Sequence, residues 1–192
     1  MKKIILSAIA IMAFTFANAQ STRFGVKGGL NITTFAGGNY WDASSLVGFQ
    51  VGGFAEIKVI ERLAIQPEVL FSTQGAKLKF AGDKYDTKLN YINVPVLAKF
   101  YITKQFTAEA GPQIGFLVSA KSDGEDVKDG FKSVDTGFNF GLGYNFTDNF
   151  SVGARYTVGL SNIADNNADT WDEYYDSPKN SVFAITAAYK FN

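Results

Sequence analysis

Eight stretches of this chain alternate apolar and polar residues with a period of two, and connections of alternating length separate them. Only an extended strand gathers such residues on one side; a helix would scatter them round its circumference. In 23–35, Phe24, Val26, Gly28, Leu30 and Ile32 share one parity, and Arg23, Gly25, Lys27, Gly29 and Asn31 the other. In 46–59, Val47, Phe49, Val51, Ala55 and Ile57 oppose Gln50, Gly52, Glu56 and Lys58. The pattern recurs in 63–75, 89–103, 106–119, 134–146, 150–160 and 183–191. Short connections fall at Glu61 and Arg62, at Lys104 and Gln105, and at 147–149; long ones are expected at 36–45, 76–88, 120–133 and 161–180. Turns on one side and long loops on the other are the layout of a barrel that crosses a membrane, and a soluble sandwich has no reason to sort its loops this way.

The first 19 residues read as a cleaved export signal. Lys2 and Lys3 precede an apolar run from Ile4 to Ala17, and Ala17, Asn18 and Ala19 form a small-x-small cleavage site. The run is shorter than the ~20 residues a spanning helix needs. Removing 19 of the 192 residues leaves 173, one domain over 20–192. That segment carries 16 basic and 18 acidic side chains, which argues against bulk nucleic-acid binding. With no Cys, an exported chain has neither disulfides nor a lipidation site.

Two features direct the apolar face to lipid rather than to a core. The opposite face is rich in glycine, which suits a narrow lumen better than an open solvent surface. Aromatics gather towards strand ends, at Phe24, Phe106, Phe146, Phe150, Tyr189 and Phe191, as in the two girdles of a membrane barrel. Closure follows, because an open sheet edge in lipid leaves backbone groups unpaired at several kcal/mol each. The expected fold is all-β: an eight-stranded antiparallel up-and-down transmembrane β-barrel.

The inward face then carries Lys27, Glu56, Glu68, Lys99, Glu109, Asp135 and Arg155, nearly balanced in sign. In so narrow a barrel these form a structural plug of mutually paired charges, and a thin ion path is the alternative. Pro67, Pro95 and Pro112 lie inside strands, where each removes a ladder hydrogen bond; bulges are expected to accommodate them. Phe183, Ile185, Tyr189 and Phe191 alternate up to the penultimate residue, the form of an assembly signal read as an added strand.

Chemistry is sparse. Without His there is no Ser-His-Asp triad and no imidazole metal ligand, and without Cys no thiol nucleophile. Glu68 and Glu109 are carboxylates of a kind that does acid–base work, but lumenal pairing is the simpler reading. Asp165, Asn167, Asp169, Glu173 and Asp176 match positions 1, 3, 5, 9 and 12 of a calcium loop. Thr170 stands where glycine is needed, Asp176 replaces the final Glu, and no helices flank the loop, so a solvated loop without metal is expected. No cofactor is expected.

The chain resembles the PorT-like outer-membrane β-barrel domain family. The matching stretches run from Gly25 to Asn31, Gly48 to Lys58, Ile65 to Phe71 with Gln74 to Ala76, Tyr91 to Tyr101, and Ala110 to Leu117. Pro67-Glu68 and Val94-Pro95 are the specific elements. The resemblance implies an outer-membrane location and a founding member tied to protein secretion, a role that does not transfer by fold. The expected function is a non-enzymatic structural or interaction barrel with long extracellular loops, assisting an envelope or secretion complex; a narrow pore for ions or small solutes is the alternative. Expected partners are outer-membrane lipid, the outer-membrane assembly machinery and an envelope protein, with no nucleic acid.

Overall fold

The computed structural model describes residues 22–37, 44–80, 83–165 and 178–191. Its strands are β1 (Thr22–Ala36), β2 (Ser44–Ile60), β3 (Leu63–Phe80), β4 (Asp83–Tyr101), β5 (Phe106–Ser122), a two-residue β6 (Glu125–Asp126), β7 (Val134–Asn145), β8 (Phe150–Gly159) and β9 (Lys179–Lys190). Every pairing is antiparallel. The order β4-β3-β2-β1-β9-β8-β7-β5 closes through β4–β5, giving eight wall strands, while β6 is a short addition to β5. Closure abolishes the edges that lipid would otherwise face.

The apolar parity points outward. Leu30, Val47 and Leu142 are 62%, 69% and 66% exposed, whereas Lys27, Glu56, Glu68 and Arg155 are buried. This inverts the pattern of a water-soluble barrel, and hydrocarbon is the solvent in which it is stable. Gly52 marks the tight curvature of the wall. A side chain there would strike the carbonyl of Val69 on β3, so the two strands approach as they do only because position 52 has none.

Four expectations change. First, 76–80 and 83–88 are strand rather than loop. The β3–β4 ladder continues to Phe80↔Asp83, with Lys77 and Asp86 paired across it at 3.5 Å. The 19 residues of β4 rise about 44 Å at a ~3.3 Å step and ~45° tilt, so this hairpin stands well clear of a ~25 Å apolar band.

Second, the prolines cause no bulges. The β2–β3 ladder skips from Phe54↔Glu68 to Ile57↔Ile65 beside Pro67, β3–β4 from Pro67↔Val96 to Leu70↔Asn93, and β4–β5 from Pro95↔Gln113 to Ala98↔Ala110. Pairs are lost but register is kept. The shifts lie elsewhere, between Ser45 and Gln50, Lys58 and Ile60, and Asn90 and Tyr91.

Third, the six strand-end aromatics form one girdle rather than two, because Phe24, Phe106, Phe146, Phe150, Tyr189 and Phe191 all lie at the end that carries the short turns. Ring contacts run from Phe106 to Tyr144 (4.9 Å), to Phe146 (4.9 Å) and to Phe150 (5.9 Å). Fourth, 120–133 is not wholly irregular, since it holds β6 and a 3-10 turn at Lys128–Gly130. Residues 1–19, expected to be a cleaved export signal, lie outside the described residues.

Candidate functional site

The half of the lumen nearer the short turns holds one connected ionic network. Arg155 on β8 is its hub. Its Nη1 and Nη2 donate to the two oxygens of Glu68 at 2.8 and 2.9 Å, and Nη2 lies 2.6 Å from Glu109 Oε1. Lys27 of β1 also donates to Glu68 Oε1, and Gln66 Nε2 donates to the same oxygen at 2.6 Å. The Gln66 carbonyl oxygen accepts from Lys99 Nζ at 3.2 Å, and Lys99 reaches Glu56 at 3.0 Å. Glu56 also accepts from the Tyr101 hydroxyl at 2.6 Å and faces Lys190 at 3.6 Å.

Thus four cations and three carboxylates from seven of the eight wall strands meet in the lumen. The remaining strand, β7, contributes space. Gly141 lies in register between Glu109 and Arg155, and a Cβ there would fall 2.9 Å from Glu109 Cγ. A Gly141→Val barrel is expected to lose about 1–3 kcal/mol through displacement of that carboxylate. Urea titration of the refolded protein in detergent checks this.

Of the seven charges singled out in the sequence, six join this network. Asp135 stands apart, accepting from Ser161 Oγ at 2.6 Å and Asn180 Nδ2 at 2.8 Å at the other end of the barrel. Lys190, Tyr101 and Gln66 were not singled out. Lys190 and Tyr101 share the inward parity of their strands, which is the signal that identifies them.

The loop end of the lumen is closed differently. Leu89, Tyr91, Leu117, Ala120, Phe131 and Ile163 form a buried apolar cluster, with Phe35 and Val127 packed against it. Phe131 and Ile163 come from surface connections that fold back over the mouth. Lys132 N–H donates to the Ile163 carbonyl at 2.8 Å, Asp165 N–H donates to the Gly130 carbonyl at 3.1 Å, and Phe131 bridges Ala164. The register shift at Asn90/Tyr91 turns Ala120 inward, whereas strict alternation from Leu117 would point it out. Between the two closures, Asn31 donates to Ser72 Oγ at 3.0 Å, and Thr157 donates to Asn139 Oδ1 at 2.7 Å.

Phe183, Ile185, Tyr189 and Phe191 line the outer face at the end of the chain, 39%, 57%, 50% and 48% exposed. Of the calcium-spaced residues only Asp165 is described; Asn167, Asp169, Glu173 and Asp176 lie outside the described residues. Among the described residues no cluster of three or more His, Cys, Asp or Glu side chains is placed to hold a metal ion.

A family model for an outer membrane protein beta-barrel domain matches residues 18–165. The chain belongs to this outer-membrane β-barrel family. Among solved structures, Neisserial surface protein A is similar at 17% identity and a TM-score of 0.58, over 90% of this chain and all of that one (100%). OprG of Pseudomonas aeruginosa gives 14% and 0.51, over 90% and 97%, and Ail of Yersinia pestis 17% and 0.50, over 90% and 100%. At these identities the likeness is one of fold. No curated protein sequence matches the chain significantly. In an outer-membrane barrel the short turns face the periplasm and the long segments the exterior. The ionic network therefore lies on the periplasmic side of the lumen and the apolar cluster at its outer mouth.

Proposed function

We propose that this outer-membrane barrel is a non-conducting, non-enzymatic scaffold, exported through a cleaved leader at 1–19, that holds its surface segments for an envelope partner. The observation that carries the reading is the double closure of the lumen. Charges that bridge across the barrel block the periplasmic half, and a buried apolar cluster fills the outer mouth. A hydrated ion passing the first would have to displace bonds of 2.6–2.9 Å, and passing the second would cost its hydration. The outward alternation of Phe183, Ile185, Tyr189 and Phe191 supports recognition by the assembly machinery. The lumenal charges act as structure rather than chemistry in this reading.

Planar-bilayer recording of the refolded barrel tests it. The expected trace is flat. Discrete single-channel steps that vanish on changing Arg155 would overturn the scaffold in favour of a narrow pore.

A further inference from the structure

Below the ionic network the periplasmic mouth opens into a vestibule of about 450 Å³, within the range of small-ligand sites. Its lining carries five cations, Arg23, Lys58, Arg62, Lys104 and Lys190, against three carboxylates, Glu56, Glu61 and Asp148. They arrive there for a topological reason. Arg23 lies at the start of β1, Lys58 near the end of β2 and Lys190 at the end of β9, and Arg62 and Lys104 sit in two short turns, so the periplasmic ends of the strands converge on one rim.

Most of that positive charge has no carboxylate partner among the described residues. Among the described residues, no carboxylate lies within ion-pair distance of Arg23, Lys58, Arg62 or Lys104. Arg23 Nη1 donates to the Asp148 main-chain carbonyl at 3.2 Å, which orients it without neutralising it. Lys58 lies over the Tyr101 ring at 5.7 Å. Lys190 faces Glu56, but that carboxylate already holds Lys99 at 3.0 Å and the Tyr101 hydroxyl.

We propose that this vestibule binds a phosphate monoester. With Glu56 already held by Lys99, the lining cations outnumber the remaining carboxylates Glu61 and Asp148, and a phosphate dianion offsets more of that excess than a single carboxylate would. Two guanidinium forks at the rim suit the paired oxygens of a phosphate. The volume exceeds what inorganic phosphate fills, so the ester carries an organic body. That body belongs either to a lipid headgroup in the adjoining leaflet or to a soluble periplasmic metabolite. This site is independent of whether the lumen conducts.

The test uses the full refolded chain in a zwitterionic detergent, titrated calorimetrically at low salt. The probes are glycerol 3-phosphate, short-chain phosphatidic acid and acetate. Both phosphate probes binding means a soluble ester suffices, and phosphatidic acid alone binding assigns the headgroup; either supports the site. Affinity is expected to fall at least tenfold in the Arg23→Gln/Arg62→Gln double variant, and to stay unchanged in Lys77→Gln, whose charge lies at the opposite end. Arg23 and Arg62 are exposed at the rim, so the double variant keeps the barrel, which is checked by its heat-modifiable migration in gels. Failure of both phosphate probes to bind, equal binding of acetate, or undiminished binding by the double variant overturns the proposal.

Discussion

Replacing Arg155 with Met is expected to cost the folded barrel about 3–5 kcal/mol, the scale set by removing one partner of a buried ion pair. Arg155 sits between Glu68 and Glu109, and both carboxylates are drawn to it at 2.6–2.9 Å. Without it, Glu109 loses its ion-pair partner, while Glu68 keeps Lys27 and Gln66. The loss therefore concentrates on Glu109. A second substitution, Glu109→Gln, should recover part of the stability in the Arg155→Met background, because it removes the charge that was stranded. Unfolding midpoints of the wild type, both single variants and the double variant form the cycle that measures this coupling. Independent, additive losses would contradict a shared network.

The next-largest effect is expected at Leu30. It projects from β1, in register with Phe49 and Ile185 on its two neighbours, and all three side chains are exposed on the outer face. Leu30 lies six residues along β1 from the girdle residue Phe24, about 14 Å at a ~3.3 Å step and ~45° tilt, close to the middle of a ~25 Å belt. Leu30→Arg should cost about 2–4 kcal/mol in phospholipid vesicles, the midplane value for a lipid-facing arginine. Lys77→Arg, on the part of the β3–β4 hairpin that clears the bilayer, should cost nothing measurable. Reversible denaturant unfolding in vesicles compares the two. A Leu30→Arg barrel as stable as the wild type would mean that water, not hydrocarbon, touches this face.

The wall of this barrel was legible in sequence because a membrane barrel has one simple rule per strand. Lipid-facing and lumen-facing residues alternate, so Leu30, Val47 and Phe140 on one parity and Lys27, Glu56 and Asn139 on the other assign the faces directly. The charge network could be read only as a set of inward residues, since which carboxylate meets which cation depends on register across strands far apart in sequence. Arg155 and Glu68 are separated by 87 positions. The outer cluster was not legible at all. Its members Leu89, Leu117, Phe131 and Ile163 come from separate segments, and the register shift beside Tyr91 breaks the alternation there. The β3–β4 extension was missed because Lys77, Lys79, Asp83 and Asp86 resemble a solvated loop by composition. Lys77 and Asp86 are an opposite-charge pair across a ladder. The prolines misled in the opposite sense: dropped ladder pairs, rather than added residues, accommodate them.

The network also bears on the order of events during insertion. Its cations Lys27 and Lys190 stand on the first and last strands, which become neighbours only when β1 meets β9. Until that seam zips, Glu56 and Glu68 cannot gather their full set of counter-charges, and a half-rolled sheet must keep them wet. Water thus leaves the nascent lumen late, so a chain truncated before Lys179, which lacks β9 and its seam with β1, should stall as an open, hydrated intermediate rather than settle as a smaller barrel.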